Sequence, residues 1–204
     1  MAKVAAEIRR PEILDAAFRV LAQEGLPMPS YDVIAKEAGI SRQLIRHYFP
    51  DQTSMMVALC DSLAGAYRNL MMKGIIDAAS TERLQIFLDF YFGFLEGKGL
   101  KKPEDDKVYD AMFSLAAGSP EIRSTLKEQY SLLHFTIWHE VQISNPDIPQ
   151  RACQEIGYLF VTLMYGHWKM VASLGFSEKH NRIAREAMDR IIASYKANYT
   201  DPDA

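Results

Sequence analysis

The sequence predicts an all-α protein, with a small N-terminal helix-turn-helix domain followed by a larger helical domain. Three observations carry this. Apolar residues recur at helical spacing along most of the 204 residues, no stretch shows the alternation of a half-buried strand, and residues 30–52 read as two short helices joined by a tight glycine turn. The expected division is residues 1–52 for the small three-helix domain and 53–204 for the larger one.

In chain order, residues 1–9 read as a short arm carrying Lys3 and Arg9, either a solvated terminus or a segment that reaches nucleic-acid phosphates or a minor groove. From Arg10, the spacing of Ile13, Leu14, Ala17, Phe18 and Leu21 predicts a helix with Pro11 in its first turn and Gly25 at its end. Residues 26–29, Leu-Pro-Met-Pro, form a stiff connector. Ser30 can cap the next helix, to which Val33, Ile34 and Ala38 give an apolar side, and Gly39 supplies the left-handed residue that stops it. Ser41 caps another helix almost at once. A turn this short makes the two helices cross steeply, so Ile40, Ile45 and Phe49 face inward while Arg42, Gln43, Arg46 and His47 stay outside. Such a polar, cationic outer face suits a helix entering a DNA major groove, although Arg42 and Arg46 taken alone also fit ordinary solvated helix charges.

Asp51 is placed to cap a long helix to about Gly74, along which Met55, Met56, Leu59, Leu63, Tyr67, Leu70 and Met71 recur at helical spacing. Ser80 is the expected cap of a helix through Phe87 and Tyr91, closed by Gly97 and Gly99. A charged loop over residues 98–106 leads to a helix through Val108, Met112 and Leu115. Gly118-Ser119-Pro120-Glu121 is a stop followed by a cap, a first-position proline and an early carboxylate, opening a helix to about Ser144. Two final helices, about 150–174 and 177–199, form a hairpin around Gly175-Phe176.

The residues Arg10, Ile13-Leu14-Asp15-Ala16-Ala17, Gly25, Ile34-Ala35, Ala38-Gly39-Ile40-Ser41, Ile45 and Tyr48-Phe49-Pro50 together resemble the N-terminal domain of TetR-family transcriptional regulators. The resemblance covers roughly the first quarter of the chain and extends to the rest as an all-helical layout. It implies a one-component regulator, most simply a repressor, that binds double-stranded DNA through Ser30, Tyr31, Ser41, Arg42, Gln43, Leu44, Arg46, His47 and Tyr48. The family more often has Thr at the position of Pro29, Gly at Gln43, Thr at Leu44, Tyr at Arg46 and Lys at Gln52. Loss of that Lys removes a phosphate contact beside the repulsive Asp51. Arg42 and Arg46, four apart, put two guanidinium groups on the groove face, and a well-made bidentate contact to guanine supplies roughly 1–3 kcal/mol of discrimination.

The resemblance further implies that the last two helices pack against a two-fold mate, giving a homodimer whose recognition helices read an inverted repeat. Ala152, Gly157, Gly166 and Ala172 permit close helix approach there, and the same hairpin fits equally as internal core of a monomer. The central helices are rich in aromatic and Met side chains, most of which pack a core. Admixed polar groups, among them His134, His139, Tyr165 and His167, suggest a site for a small apolar or aromatic effector, with Phe90, Met112, Trp138 and His167 as its candidate residues.

Composition narrows the alternatives. Formal charge is −3, and residues 1–60 hold seven basic and seven acidic residues, so cations must concentrate on one face for DNA binding. The two cysteines, Cys60 and Cys153, lie far apart in apolar helical patterns and read as buried free thiols. The N-terminus lacks an apolar signal core and no stretch approaches the roughly 20 apolar residues of a membrane span, which points to a cytoplasmic protein. His134 and His139 are five apart and do not stack as an i, i+4 ligand pair, and there is no phosphate loop or nucleophile elbow. No catalytic residue, metal or cofactor is expected. The competing expectation is a helical small-molecule-binding dimer that has lost operator binding, motivated by Asp51, Gln52 and the neutral N-terminal charge.

Overall fold

A computed structural model describes residues 2–76 and 82–200, and among these every regular element is helical. The α-helices are α1 (Ala2–Glu24), α2 (Tyr31–Ala38), α3 (Arg42–Tyr48), α4 (Gln52–Ile76), α5 (Arg83–Tyr91), α6 (Asp106–Ala116), α7 (Pro120–Ser144), α8 (Gln150–Trp168) and α9 (His180–Asn198). A single 3-10 turn lies at Glu96–Lys98, and a π-helical turn at Lys169–Ser173 continues α8. Contacts divide the chain into two compact units, Met1–Tyr67 with Glu104–Glu128, and Arg68–Pro103 with Gln129–Ala204. These units are drawn differently from the sequence boundary at residue 52.

In the first unit, α1 presents Ile13, Leu14, Ala17, Val20 and Leu21 as a buried stripe. Helix α1 starts well before the expected Arg10, so residues 2–9 are helical backbone rather than an arm, and Pro11 lies inside the helix, where it forfeits one backbone hydrogen bond. The run Ala-Lys-Val-Ala-Ala-Glu is made largely of strong helix formers, which is the physical reason. Gly25 ends α1 at φ +71°, donating its N–H to Leu21 O at 2.8 Å. Asp51 Oδ1 accepts from Ser54 N at 2.7 Å and caps α4, whose Met55, Met56 and Leu59 are buried.

Helix α6, expected in the larger domain, packs on α1 in this unit. Its Val108, Ala111 and Met112 are fully buried, and Lys107 Nζ donates to Gln23 O at 2.7 Å near the C-terminus of α1. A cation satisfying a late helix carbonyl also complements the helix dipole. Ser119 caps α7, its Oγ accepting from Ile122 N at 3.3 Å with Pro120 at the first helical position, as the sequence predicts.

In the second unit, Leu84, Phe87, Phe90, Phe92, Phe160 and Met188 form part of a core in which Tyr91 and Phe92 both meet Phe160 edge to face. Arg185 of α9 lies almost wholly buried, ion-paired to Asp89 Oδ1 at 2.7 Å and Asp189 Oδ1 at 2.8 Å and hydrogen-bonded to Gln85. Burial works against its charge, yet the two aspartates more than offset that and hold the guanidinium above its ordinary range. Ser80 falls outside the described residues, and α5 begins instead after Glu82 with no side-chain cap.

Gly157 has a defined partner. A Cβ there would sit 2.9 Å from both His134 Cδ2 and Trp138 Cβ and 3.2 Å from His134 O, so the small residue serves the crossing of α7 and α8 within one chain. Gly166, by contrast, faces open space. Cys60 and Cys153 are buried, and neither forms a disulfide among the described residues. Among the described residues no helix is long and apolar enough to cross a membrane.

Candidate nucleic-acid interface

The α2–turn–α3 segment is built from local chemistry at each junction. Ser30 Oγ accepts from Val33 N at 3.4 Å to start α2, and Ser41 Oγ accepts from Leu44 N at 3.2 Å to start α3. Between them Gly39 takes φ +65°, and the bonds Gly39 N to Lys36 O (3.3 Å) and Ile40 N to Ala35 O (3.0 Å) complete a Schellman motif. Only two residues separate the last turn of α2 from the cap of α3, as the sequence predicts.

The inner face of this segment is closed. Ile34, Ile45 and Phe49 are fully buried, and the Phe49 ring also receives the Arg10 guanidinium at 4.8 Å from its centroid. Tyr31 was expected among the DNA-contacting residues, but its ring is buried and its hydroxyl donates to Phe49 O at 3.0 Å. That bond ties the first turn of α2 to the end of α3. Burial pushes the Tyr31 phenol up, with Asp51 adding to the effect and Arg46 opposing it, so the phenol stays protonated and donating. Val33, read as part of the apolar side of α2, is instead exposed. The buried positions of α2 are Tyr31, Ile34 and Ala35, the i, i+3, i+4 pattern displaced from the predicted one.

The outer face carries the rest of the expected set. Ser30, Ser41, Arg42, Gln43, Arg46 and His47 are exposed, and Leu44 and Tyr48 are half-buried, with the Tyr48 ring edge-on to His47 at 5.1 Å. Arg42 Nη1 is ion-paired to Asp32 Oδ2 of α2 at 2.9 Å, whereas Arg46 makes no hydrogen bond or ion pair among the described residues. Gln52, at the position where the family more often has Lys, turns its side-chain amide to Pro29 O at 3.4 Å. The arrangement presents two guanidinium groups, an amide and an imidazole on one side of a short helix whose other side is packed, which is what base-edge contact in a major groove requires.

The profile of the bacterial regulatory proteins of the tetR family matches residues 13–59, which span the whole of α2 and α3 and the buried stripe of α1. Residues 13–59 are a TetR-family helix-turn-helix domain. The HTH-type transcriptional regulator BetI of Rhizobium meliloti is 32% identical over 127 residues, 62% of this chain and 61% of that protein, so the match spans less than two thirds of the relative's length. BetI of Klebsiella pneumoniae is 22% identical over 171 residues, 82% of this chain and 84% of that regulator. Solved structures share the TetR fold. A TetR transcription regulator from Haloarcula marismortui superposes with a TM-score of 0.77 at 15% identity, over 91% of this chain and 97% of its own. A transcriptional regulator from Saccharomonospora viridis in complex with choline gives 0.71 at 20% identity, over 91% and 95%.

The four residues suggested for an effector site are not drawn together in one unit. Met112 lies in the first unit, while Phe90, Trp138 and His167 lie in the second, where Phe90 is fully buried and Trp138 packs at the Gly157 crossing. An open groove of about 500 Å³ in the second unit is lined by His134, Arg151, Gln154, Glu155, Tyr158, Leu159 and Tyr195, and includes none of the four. Its lining mixes charged, amide, aromatic and aliphatic side chains, and Tyr195 and Tyr199 both donate to Glu155.

His167 Nε2 faces Asn181 Oδ1 at 3.0 Å and donates to it. Burial lowers the imidazole pKa, with His180 adding to the effect and the Asn181 bond opposing it. An imidazole held below its ordinary value of about 6.5 takes up its proton more readily in the unfolded chain. Its contribution to stability is therefore complete above that value and lost as pH falls below it. His167→Gln should flatten the fall in thermal midpoint between about pH 7 and pH 5, read by circular-dichroism melts at matched ionic strength. A slope identical to wild type would mean that the ring is not buried neutral.

Proposed function

We propose that this TetR-family chain is a ligand-responsive DNA-binding regulator that acts as a repressor, binds an inverted-repeat operator as a homodimer, and releases it when a small effector binds. The observation that carries the reading is the sidedness of α3, where Ile45 is fully buried and Arg42, Gln43, Arg46 and His47 stand exposed. In this reading residues 1–52 contact DNA from the cytoplasm, with Ser30, Ser41, Leu44 and Tyr48 supporting the groove face. Residues 53–204 supply dimerisation and effector binding. Exposed Tyr158, Leu174, Phe176 and Ile183 on α8, α9 and their connection favour a homodimer, since a two-fold mate removes that apolar surface from water. That a regulator of the same fold from Saccharomonospora viridis holds choline supports a small-molecule effector.

Selection of bound sequences from a random DNA pool tests binding, palindromy and half-site spacing together. An enriched inverted repeat with half-sites one helical turn apart is expected. Arg46→Ala should then weaken binding to the selected duplex about tenfold or more while leaving the helical circular-dichroism signal unchanged. Equal affinity of variant and wild type in fluorescence anisotropy at fixed salt would remove Arg46 from the interface.

A second reading, a helical effector-binding dimer without an operator, is favoured by one observation. Gln52, the first residue of α4, spends its side-chain amide on Pro29 O beside the exposed Asp51. A salt titration separates the two: operator binding falls linearly in log–log form, and a dimer without an operator retains no DNA even at low salt.

A further inference from the structure

On the outer side of the helix-turn-helix the two arginines of α3 are treated differently. Arg46 extends without a partner among the described residues, whereas Arg42, the first residue of α3, is held through Nη1 by Asp32 Oδ2, the second residue of α2, at 2.9 Å. Both members of that pair are roughly half exposed or more, at 48% and 65% of the side chain, so as a contribution to fold stability it counts for little. Asp32 is not required for α2 to form either, because Ser30 already caps that helix. A carboxylate beside a surface intended for a polyanion is unfavourable for general attraction to phosphates. Its position therefore calls for a compensating gain.

We propose that Asp32 is a positioning residue for base reading by Arg42, an inference that rests on the DNA-binding reading above. A guanidinium presents five N–H donors in a rigid plane. With Nη1 engaged by Asp32, the edge formed by Nε and Nη2 remains for a second pair of acceptors, the arrangement by which a guanine offers N7 and O6 in the major groove. Holding the plane in the free protein removes part of the side-chain entropy otherwise lost on binding, and it restricts the angle from which a base is accepted. The short glycine turn makes this possible, since it brings the first turns of α2 and α3 within reach of one side chain. Neutralising the cation also lowers its attraction to phosphates of any sequence. Asp32 thus exchanges general affinity for discrimination at one base position in each half-site, while the position read by Arg46 is left untouched.

The test compares wild type, Asp32→Asn, Arg42→Lys and the double variant. Each is assayed against the duplex that wild type selects from a random pool, the same duplex changed at single positions, and a scrambled duplex of equal composition. Asp32→Asn should lower discrimination about tenfold at one base position per half-site, the same position that Arg42→Lys relaxes. Affinity for the scrambled duplex should rise. In the double variant the Asp32 substitution should add almost nothing, because its effect passes through the guanidinium. If Asp32→Asn tightens binding to selected and scrambled duplexes by the same factor, Asp32 only repels phosphate and the proposal is overturned. Additive losses in the double variant overturn it as well. If wild type enriches no sequence at all, the DNA-binding reading fails and this one with it, whereas wild-type enrichment with an unchanged Asp32→Asn profile removes the role of Asp32 alone.

Discussion

Replacing Phe49 with alanine should cost about 3–5 kcal/mol and lower the thermal midpoint by about 10 °C. The ring is fully buried, closes the inner face of α3, and carries the Arg10 guanidinium on its surface. Its backbone is also engaged at both ends, donating N–H to Ile45 O at 2.8 Å and accepting the Tyr31 hydroxyl at 3.0 Å. Truncation removes the transfer free energy of the ring and leaves a cavity among helices that are too short to collapse into it, α2 having eight residues and α3 seven. Total stabilities of domains lie near 5–15 kcal/mol, so the loss is a large share of what holds the unit together. Phe49→Leu keeps most of the volume and should cost about 1–1.5 kcal/mol. Scanning calorimetry of the two variants against wild type decides it. Equal effects of Leu and Ala would mean that the aromatic volume is not what the site requires.

The second large effect is expected at Gly157, and its sign is the informative part. Alanine is favoured over glycine by about 1 kcal/mol in an exposed helix interior, so on local grounds Gly157→Ala would stabilise α8. The added Cβ, however, would lie 2.9 Å from Trp138 Cβ and 3.2 Å from a backbone oxygen, neither of which is the free end of a flexible chain. Overpacking of this kind costs about 1–3 kcal/mol and outweighs the propensity gain, so the variant should melt at a lower temperature than wild type. Gly166→Ala, made in the same helix where a Cβ meets nothing within 4 Å, is the control and should melt at the same temperature or slightly higher. A stabilised Gly157→Ala protein would show that α7 and α8 can part without loss.

These two sites illustrate what was legible in the sequence. The caps and the turn of the helix-turn-helix were, because Ser30, Gly39, Ser41 and Asp51 act on backbone groups within a few residues of themselves. Tyr31 follows the packing period instead: with Ile34, Ala35 and Ala38 it completes the 3.6-residue repeat of a packed face, and the phenol that suggests a polar contact finds its acceptor inside. The early start of α1 rests on helix formers ahead of Arg10, whereas Pro11 has the composition of a first-turn boundary. The residence of α6 beside α1 was not legible, since it depends on contacts more than 80 residues apart, such as Lys107 with Gln23, that leave no local pattern. Gly157 announced a close helix approach and could not announce to which helix. The proposed effector residues suffered most from this. Aromatic richness marks a core and a pocket alike, and Phe90 and Met112 are both buried side chains.

The bond from Tyr31 to the Phe49 carbonyl fastens the helix-turn-helix where its two helices begin and end, and every side chain that performs this fastening points inward. Gln43, Arg46 and His47 are consequently relieved of structural duty, and Arg42 shares only an exposed ion pair with Asp32. On the DNA-binding reading proposed above, this surface can be rewritten to address a different DNA sequence while the unit beneath keeps its shape, so that retargeting is a matter of a few exposed side chains rather than of a new fold.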